Sequence, residues 1–146
     1  MRLPLELVLR RGVIFLWTRY ARLDDPALGG ETKPKFIVIL SGSPYDDPLI
    51  YILTTSEKAK HAEHPFPGDL QHLQAGTYEC FTVDTLIDAG DAGQLEIGRD
   101  EFVKLYESDE VIYKDCLSEG HIKELVDRIV SSRRVAKRLK QILIGV

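Results

Sequence analysis

The chain has 146 residues, 44% of them apolar and 29% charged, a size and composition that fit one folded domain with a single core and argue against a disordered or membrane protein. No apolar run approaches the roughly 20 residues of a membrane-spanning helix, and Glu6, Arg10 and Arg11 interrupt the one stretch resembling a signal peptide, so a cytoplasmic protein is expected. The net charge of -4 is uneven: Arg133, Arg134, Lys137, Arg138 and Lys140 form a basic run with no acid among them, which leaves -9 on the rest. Such a run can contact phosphates or an acidic partner, or simply form the solvated face of a terminal helix.

In chain order, Leu3, Leu5, Leu7 and Leu9 alternate with mostly polar residues and predict a short extended segment. Past Gly12, residues 13–20 are rich in β-branched and aromatic side chains and predict a strand. Residues 24–32 concentrate Asp, Pro and Gly and predict an exposed loop. Two apolar blocks follow at 33–41 and 49–56, both of strand composition. The first opens on Lys33 and Lys35; the second closes on Thr54, Thr55 and Ser56. As neighbouring strands they hold cations and hydroxyls at their ends, where a phosphate can lie between them. The plainer alternatives are lysines guarding an edge strand and hydroxyls capping the segment that follows.

Residues 57–76 are polar and interrupted by Pro65, Pro67 and Gly68, which predicts a loop with a helical turn at its start. His61 and His64, with Glu57 one turn earlier, can align as metal ligands on a helix, but the sequence places no fourth ligand for zinc. His61 is also a candidate base, because an imidazole titrates near neutrality. Residues 77–83 predict another strand, and residues 84–93 an irregular stretch broken at Gly90 and Gly93. Between 94 and 113 the pattern predicts a short strand, a helical segment around Phe102, Leu105 and Tyr106, and a strand at 111–113.

Ser118 and Glu119 open a helix whose apolar stripe is Ile122, Leu125, Val126, Ile129 and Val130, with Leu117 stapling onto Ile122. A second helix follows Ser132, with Val135, Ala136, Leu139, Ile142 and Leu143 inside and the basic residues outside. Cys80 and Cys116 lack metal or redox spacing and read as reduced, buried thiols, with a disulfide as the alternative. Residues 86–90 resemble the loop of retroviral-type aspartic proteases around Asp88, but Ala89 stands at the bracing hydroxyl position. Asp84, Glu96 and Arg99 resemble the carboxylate set of metal-dependent nucleases without its lysine.

A Gly-started first strand, the Gly30-Glu31 loop, a basic residue opening an Ile/Val strand, a strand closing on Thr54, Thr55 and Ser56, and a late Leu117-Ser118 helix ending in Ser131-Ser132 together resemble the MazF/PemK family over about residues 12–132. The family comprises small toxin endoribonucleases of toxin-antitoxin systems. Lys35-Phe36-Ile37-Val38 matches the family's Arg-Pro-Val-Val block, with lysine at the catalytic arginine and phenylalanine at the proline. Cutting RNA without a metal requires a base for the 2'-hydroxyl proton, a cation for the charge building on phosphorus and an acid for the leaving oxygen.

The resemblance implies an α+β fold, a small, strongly curved, antiparallel SH3-like β-barrel over about residues 12–115 with a C-terminal helix at about 118–131; the second C-terminal helix, at about 133–144, comes from the apolar periodicity, and all of it forms one domain. It implies a metal-independent endoribonuclease acting on single-stranded RNA with no cofactor. Lys35 is then the phosphate electrophile and Thr55 a phosphate-site hydroxyl; His61, from its imidazole and its place after the hydroxyls, is the candidate base, Lys33, Thr54, Ser56 and Lys58 are candidate RNA contacts, and Arg133, Arg134 and Lys137 of the basic tail beyond the resemblance are candidate RNA contacts by charge. A homodimer neutralised by an antitoxin protein is the expected assembly. The alternative is a catalytically inactive relative that binds RNA or a protein.

Overall fold

The computed structural model describes residues 2–21, 32–56 and 64–144. Helix α1 (Leu5–Val8) leads into strands β1 (Val13–Ala21), β2 (Thr32–Ile39) and β3 (Leu49–Thr55). Strands β4 (Leu70–Leu73), β5 (Thr85–Asp88) and β6 (Glu96–Ile97) follow, then α2 (Arg99–Glu107), β7 (Val111–Cys116), α3 (Glu119–Ser131) and α4 (Lys137–Ile144). The fold is α+β, with one seven-stranded antiparallel sheet ordered β4-β5-β3-β2-β1-β7 and β6 pairing with the start of β3. Among the described residues the sheet does not close: β4 and β7 are its two ends. Among the described residues no helix is long and apolar enough to cross a membrane.

The central strands read as almost continuous apolar runs because both faces of the sheet are covered. Successive side chains on a strand point to opposite faces, so neighbours feed different cores. Ile14, Val38 and Ile52 join Leu125 and Ile129 of α3 and Leu139 and Leu143 of α4. Val13, Phe15, Ile37, Ile39 and Tyr51 join Phe102 and Tyr106 of α2. Phe15 meets Phe102 edge-to-face with ring centroids 5.2 Å apart, a geometry that contributes about 1 kcal/mol beyond area burial. Helix α3 begins as its sequence predicts, the Ser118 hydroxyl accepting the His121 N–H at 3.2 Å. Gly12, at φ +94°, lets β1 pass directly beneath this helix, since a Cβ there would sit 2.7 Å from Ile122 Cγ1.

Several local expectations are corrected. Residues 5–8 form a helical turn that buries Leu5 and Leu9 at i, i+4 and exposes Leu3 and Leu7, where alternation predicts an extended segment. Residues 77–83 are turns, and the strands lie on either side of them in β4 and β5. Tyr78 and Phe81 have strand composition because they are buried in the core, not because their backbone pairs. In α4 and its lead-in, Val135, Leu139 and Leu143 are buried while Ala136 and Ile142 are exposed. The expected loop at 24–32 lies outside the described residues except for Thr32, which opens β2.

Candidate functional site

Because β2 and β3 are antiparallel, the lysine-bearing start of one meets the hydroxyl-bearing end of the other. Their ladder runs from Ile39 opposite Tyr51 to Ile37 opposite Leu53. Beyond it, Thr54 and Thr55 pair with Ile87 and Leu86 of β5 on the other side of β3. Pro34 has no N–H to extend the β2 ladder. A cleft of about 280 Å³ opens where the two strands part, lined by Lys33, Pro34, Lys35 and Phe36 from β2 and by Thr54, Thr55 and Ser56 at the end of β3. The turn region closes it with Cys80, Phe81, Thr82, Val83 and Thr85.

The lining carries two lysines, five hydroxyl side chains and no carboxylate or imidazole among the described residues. Such a set attracts anions, and ammonium groups form the stronger, charge-assisted class of hydrogen bond with phosphate oxygens. Thr54 Oγ1 donates to the Phe36 carbonyl at 3.2 Å, bridging the strands at the mouth of the ladder, and Thr85 Oγ1 donates to the Val83 carbonyl at 3.0 Å. The apolar wall is Phe36 edge-on to Phe81, with ring centroids 5.3 Å apart. Burial, aided by the Asp115 carboxylate, pushes the Cys80 thiol above its ordinary range, so it stays protonated at neutral pH.

Lys33, Lys35, Thr54, Thr55 and Ser56 are therefore brought together as their sequence pattern predicts. Gly30, Glu31, Lys58 and His61 lie outside the described residues. Arg133 and Lys137 are exposed at the entry to α4, and neither is part of the cleft lining.

Arg134, expected on the solvated outer face, turns inward. Its guanidinium pairs with Asp69 Oδ2 at 2.8 Å and with Asp88 Oδ1, and it lies over the Phe66 ring at 5.1 Å. Burial opposes the charge, but the hydrogen bonds to Asp88 and Asp69 outweigh it and hold the guanidinium above its ordinary pKa. Asp69 also accepts the Ser132 hydroxyl at 2.8 Å. His64 bonds Asp88 through Nε2 at 2.9 Å, and its Nδ1 accepts the Phe66 N–H at 2.9 Å. Both ring nitrogens of His64 thus serve the cluster. The cluster ties the segment before β4, the end of β5 and the α3–α4 junction together, and it is a structural anchor. It also accounts for Asp88, whose oxygens take a guanidinium and an imidazole instead of sharing a proton with a second carboxyl group.

Among the described residues no group of three or more His, Cys, Asp or Glu side chains is placed to hold a metal ion. No family model matches the chain, and no curated protein matches it.

Proposed function

We propose that the protein is a MazF/PemK-like toxin that cleaves single-stranded RNA in the cleft between β2 and β3 without a metal ion. The observation that carries this reading is the gathering of Lys33, Lys35, Thr54, Thr55 and Ser56 around one opening lined by no carboxylate among the described residues. Lys35 is assigned to the charge that builds on phosphorus, Thr55 to a phosphate oxygen, and His61 to the 2'-hydroxyl proton. Thr54 gives its own proton to the Phe36 carbonyl, so toward RNA it acts as an acceptor. Lys33, Ser56 and Lys58 are assigned as further RNA contacts, and Arg133, before α4, and Lys137, at its start, add attraction for phosphates. Arg134 has no part in this assignment, being held by Asp69 and Asp88. The sheet is read as an SH3-like barrel of the family's kind left open between β4 and β7. A cytoplasmic homodimer inhibited by an antitoxin protein completes the proposal.

Attack by the 2'-hydroxyl expels the 5' oxygen of the next nucleotide, so the products carry 2',3'-cyclic phosphate and 5'-hydroxyl ends. Incubated with mixed-sequence single-stranded RNA in excess chelator, the protein is expected to produce such fragments. No cleavage at high protein concentration rejects the enzyme. A second reading, an RNA-binding module without catalysis, is favoured by one observation: the described cleft residues include no imidazole or carboxylate to take the proton. Retained RNA affinity with no fragments is its signature.

A further inference from the structure

We infer that a second cavity, on the face of the sheet opposite the β2–β3 cleft, binds an alkylated ammonium cation between the rings of Trp17, Tyr20 and Tyr51 and the carboxylates around them. The cavity measures about 650 Å³, a common size for a small-molecule site, and its aromatic wall comes from β1 and β3. Phe36, Cys80 and Phe81 of the cleft belong to one core and Trp17, Tyr20 and Tyr51 to the other, so the two openings lie on different faces.

Trp17 and Tyr20 are three residues apart, a spacing that sends the side chains of a regular strand to opposite faces. Here three steps on β1, from Trp17 to Tyr20, match two on β2, from Lys35 to Lys33, and the extra residue returns both rings to one face. Trp17 meets Tyr20 edge-to-face with ring centroids 4.9 Å apart and Tyr51 at 5.8 Å, and Tyr20 meets Tyr51 at 6.3 Å. Three rings at steep angles to one another thus form a corner, with Tyr20 and Tyr51 set into the core.

The lining adds Glu96, Glu101 and Glu110. Arg19 bonds Glu110 at 2.9 Å, which leaves Glu96 and Glu101 with no cation among the described lining residues. Their field reaches the rings: burial, the hydrogen bond with Tyr20 and the charge of Glu101 hold the Tyr51 phenol protonated well above its ordinary range. The face of an aromatic ring is also negative, so rings and carboxylates favour the same sign of ligand. Among the described residues the carboxylates do not converge into a metal-holding group, which points to an organic cation. A primary ammonium is strongly hydrated and calls for hydrogen-bond acceptors, whereas the Tyr20 and Tyr51 hydroxyls bond each other at 3.1 Å. An alkylated ammonium spreads its charge over methyl groups and is held by ring faces and a diffuse negative field.

Trp17 is the only tryptophan of the chain, so its emission reports on this cavity alone. At constant ionic strength, choline is expected to change that emission saturably and to bind about tenfold more tightly than 3,3-dimethylbutanol, its uncharged isostere. Glu96→Gln combined with Glu101→Gln, both at exposed positions, should lower choline affinity about tenfold and leave that of the alcohol unchanged. A free cation and an alkylated lysine of a protein share this chemistry. A trimethyllysine peptide that binds more tightly than choline assigns the protein side chain, and one that binds more weakly assigns the free cation. No saturable change with choline, equal binding of choline and the alcohol, or undiminished choline binding in the double variant overturns the inference.

Discussion

Arg134→Ala is expected to destabilise the fold by about 3 kcal/mol, the lower end of the range for breaking a buried ion pair because the arginine is about a quarter exposed. Removing the guanidinium leaves two carboxylates, Asp69 and Asp88, each about nine-tenths buried, without their counter-charge. In a domain of this size that loss lowers the midpoint of thermal unfolding by roughly 6–12 °C. Gly90→Ala should act through the same guanidinium, since a Cβ at position 90 would overlap it. Urea unfolding of both variants measures the effect. A loss under about 1 kcal/mol for Arg134→Ala would return the residue to the solvated surface and to the pool of cations open to RNA.

Lys35→Ala is expected to lower RNA cleavage by about a hundredfold or more, the usual cost of removing a group that stabilises transition-state charge. The half-exposed lysine contributes little to packing, so unfolding should shift by less than about 1 kcal/mol. Rate without stability is the mark of a site residue here, and stability without a direct role in the cleft is the mark of Arg134. Lys35→Arg sharpens the test, because a planar fork holds two phosphate oxygens at once. Its activity should equal or exceed that of the unmodified protein. Unchanged cleavage in Lys35→Ala would reject the assigned electrophile.

The parts of this molecule that can be read from its sequence are those written locally. Ser118 caps α3 through an N–H three residues on, and the stripe through Leu125 and Ile129 gives its buried face. The cleft is legible because antiparallel pairing brings the start of one apolar block beside the end of the next, and the lysines and hydroxyls occupy those ends. Other features depend on distant partners. Strands β4 and β5 are four residues each, and Gln71 of β4 is buried because its amide donates to the His121 carbonyl 50 residues away. The anchor joins Arg134 to residues 46 and 65 positions earlier, so nothing beside it in the sequence separates it from the other cations of the basic run. Tyr78 and Phe81 mimic a strand through burial alone.

The claim that RNA occupies the cleft is tested most directly at Cys80, which lines it, with Cys116, which does not, as an internal reference. Thiolate is the reactive form, and burial holds the Cys80 pKa up, so its alkylation by a maleimide should be slow at neutral pH and rise steadily as pH increases. Alkylation is measured at mildly alkaline pH with and without saturating 2'-fluoro RNA. The expected result is a several-fold slowing at Cys80 with Cys116 unchanged; equal rates at Cys80 in the two conditions, with RNA shown to be bound, would contradict the account.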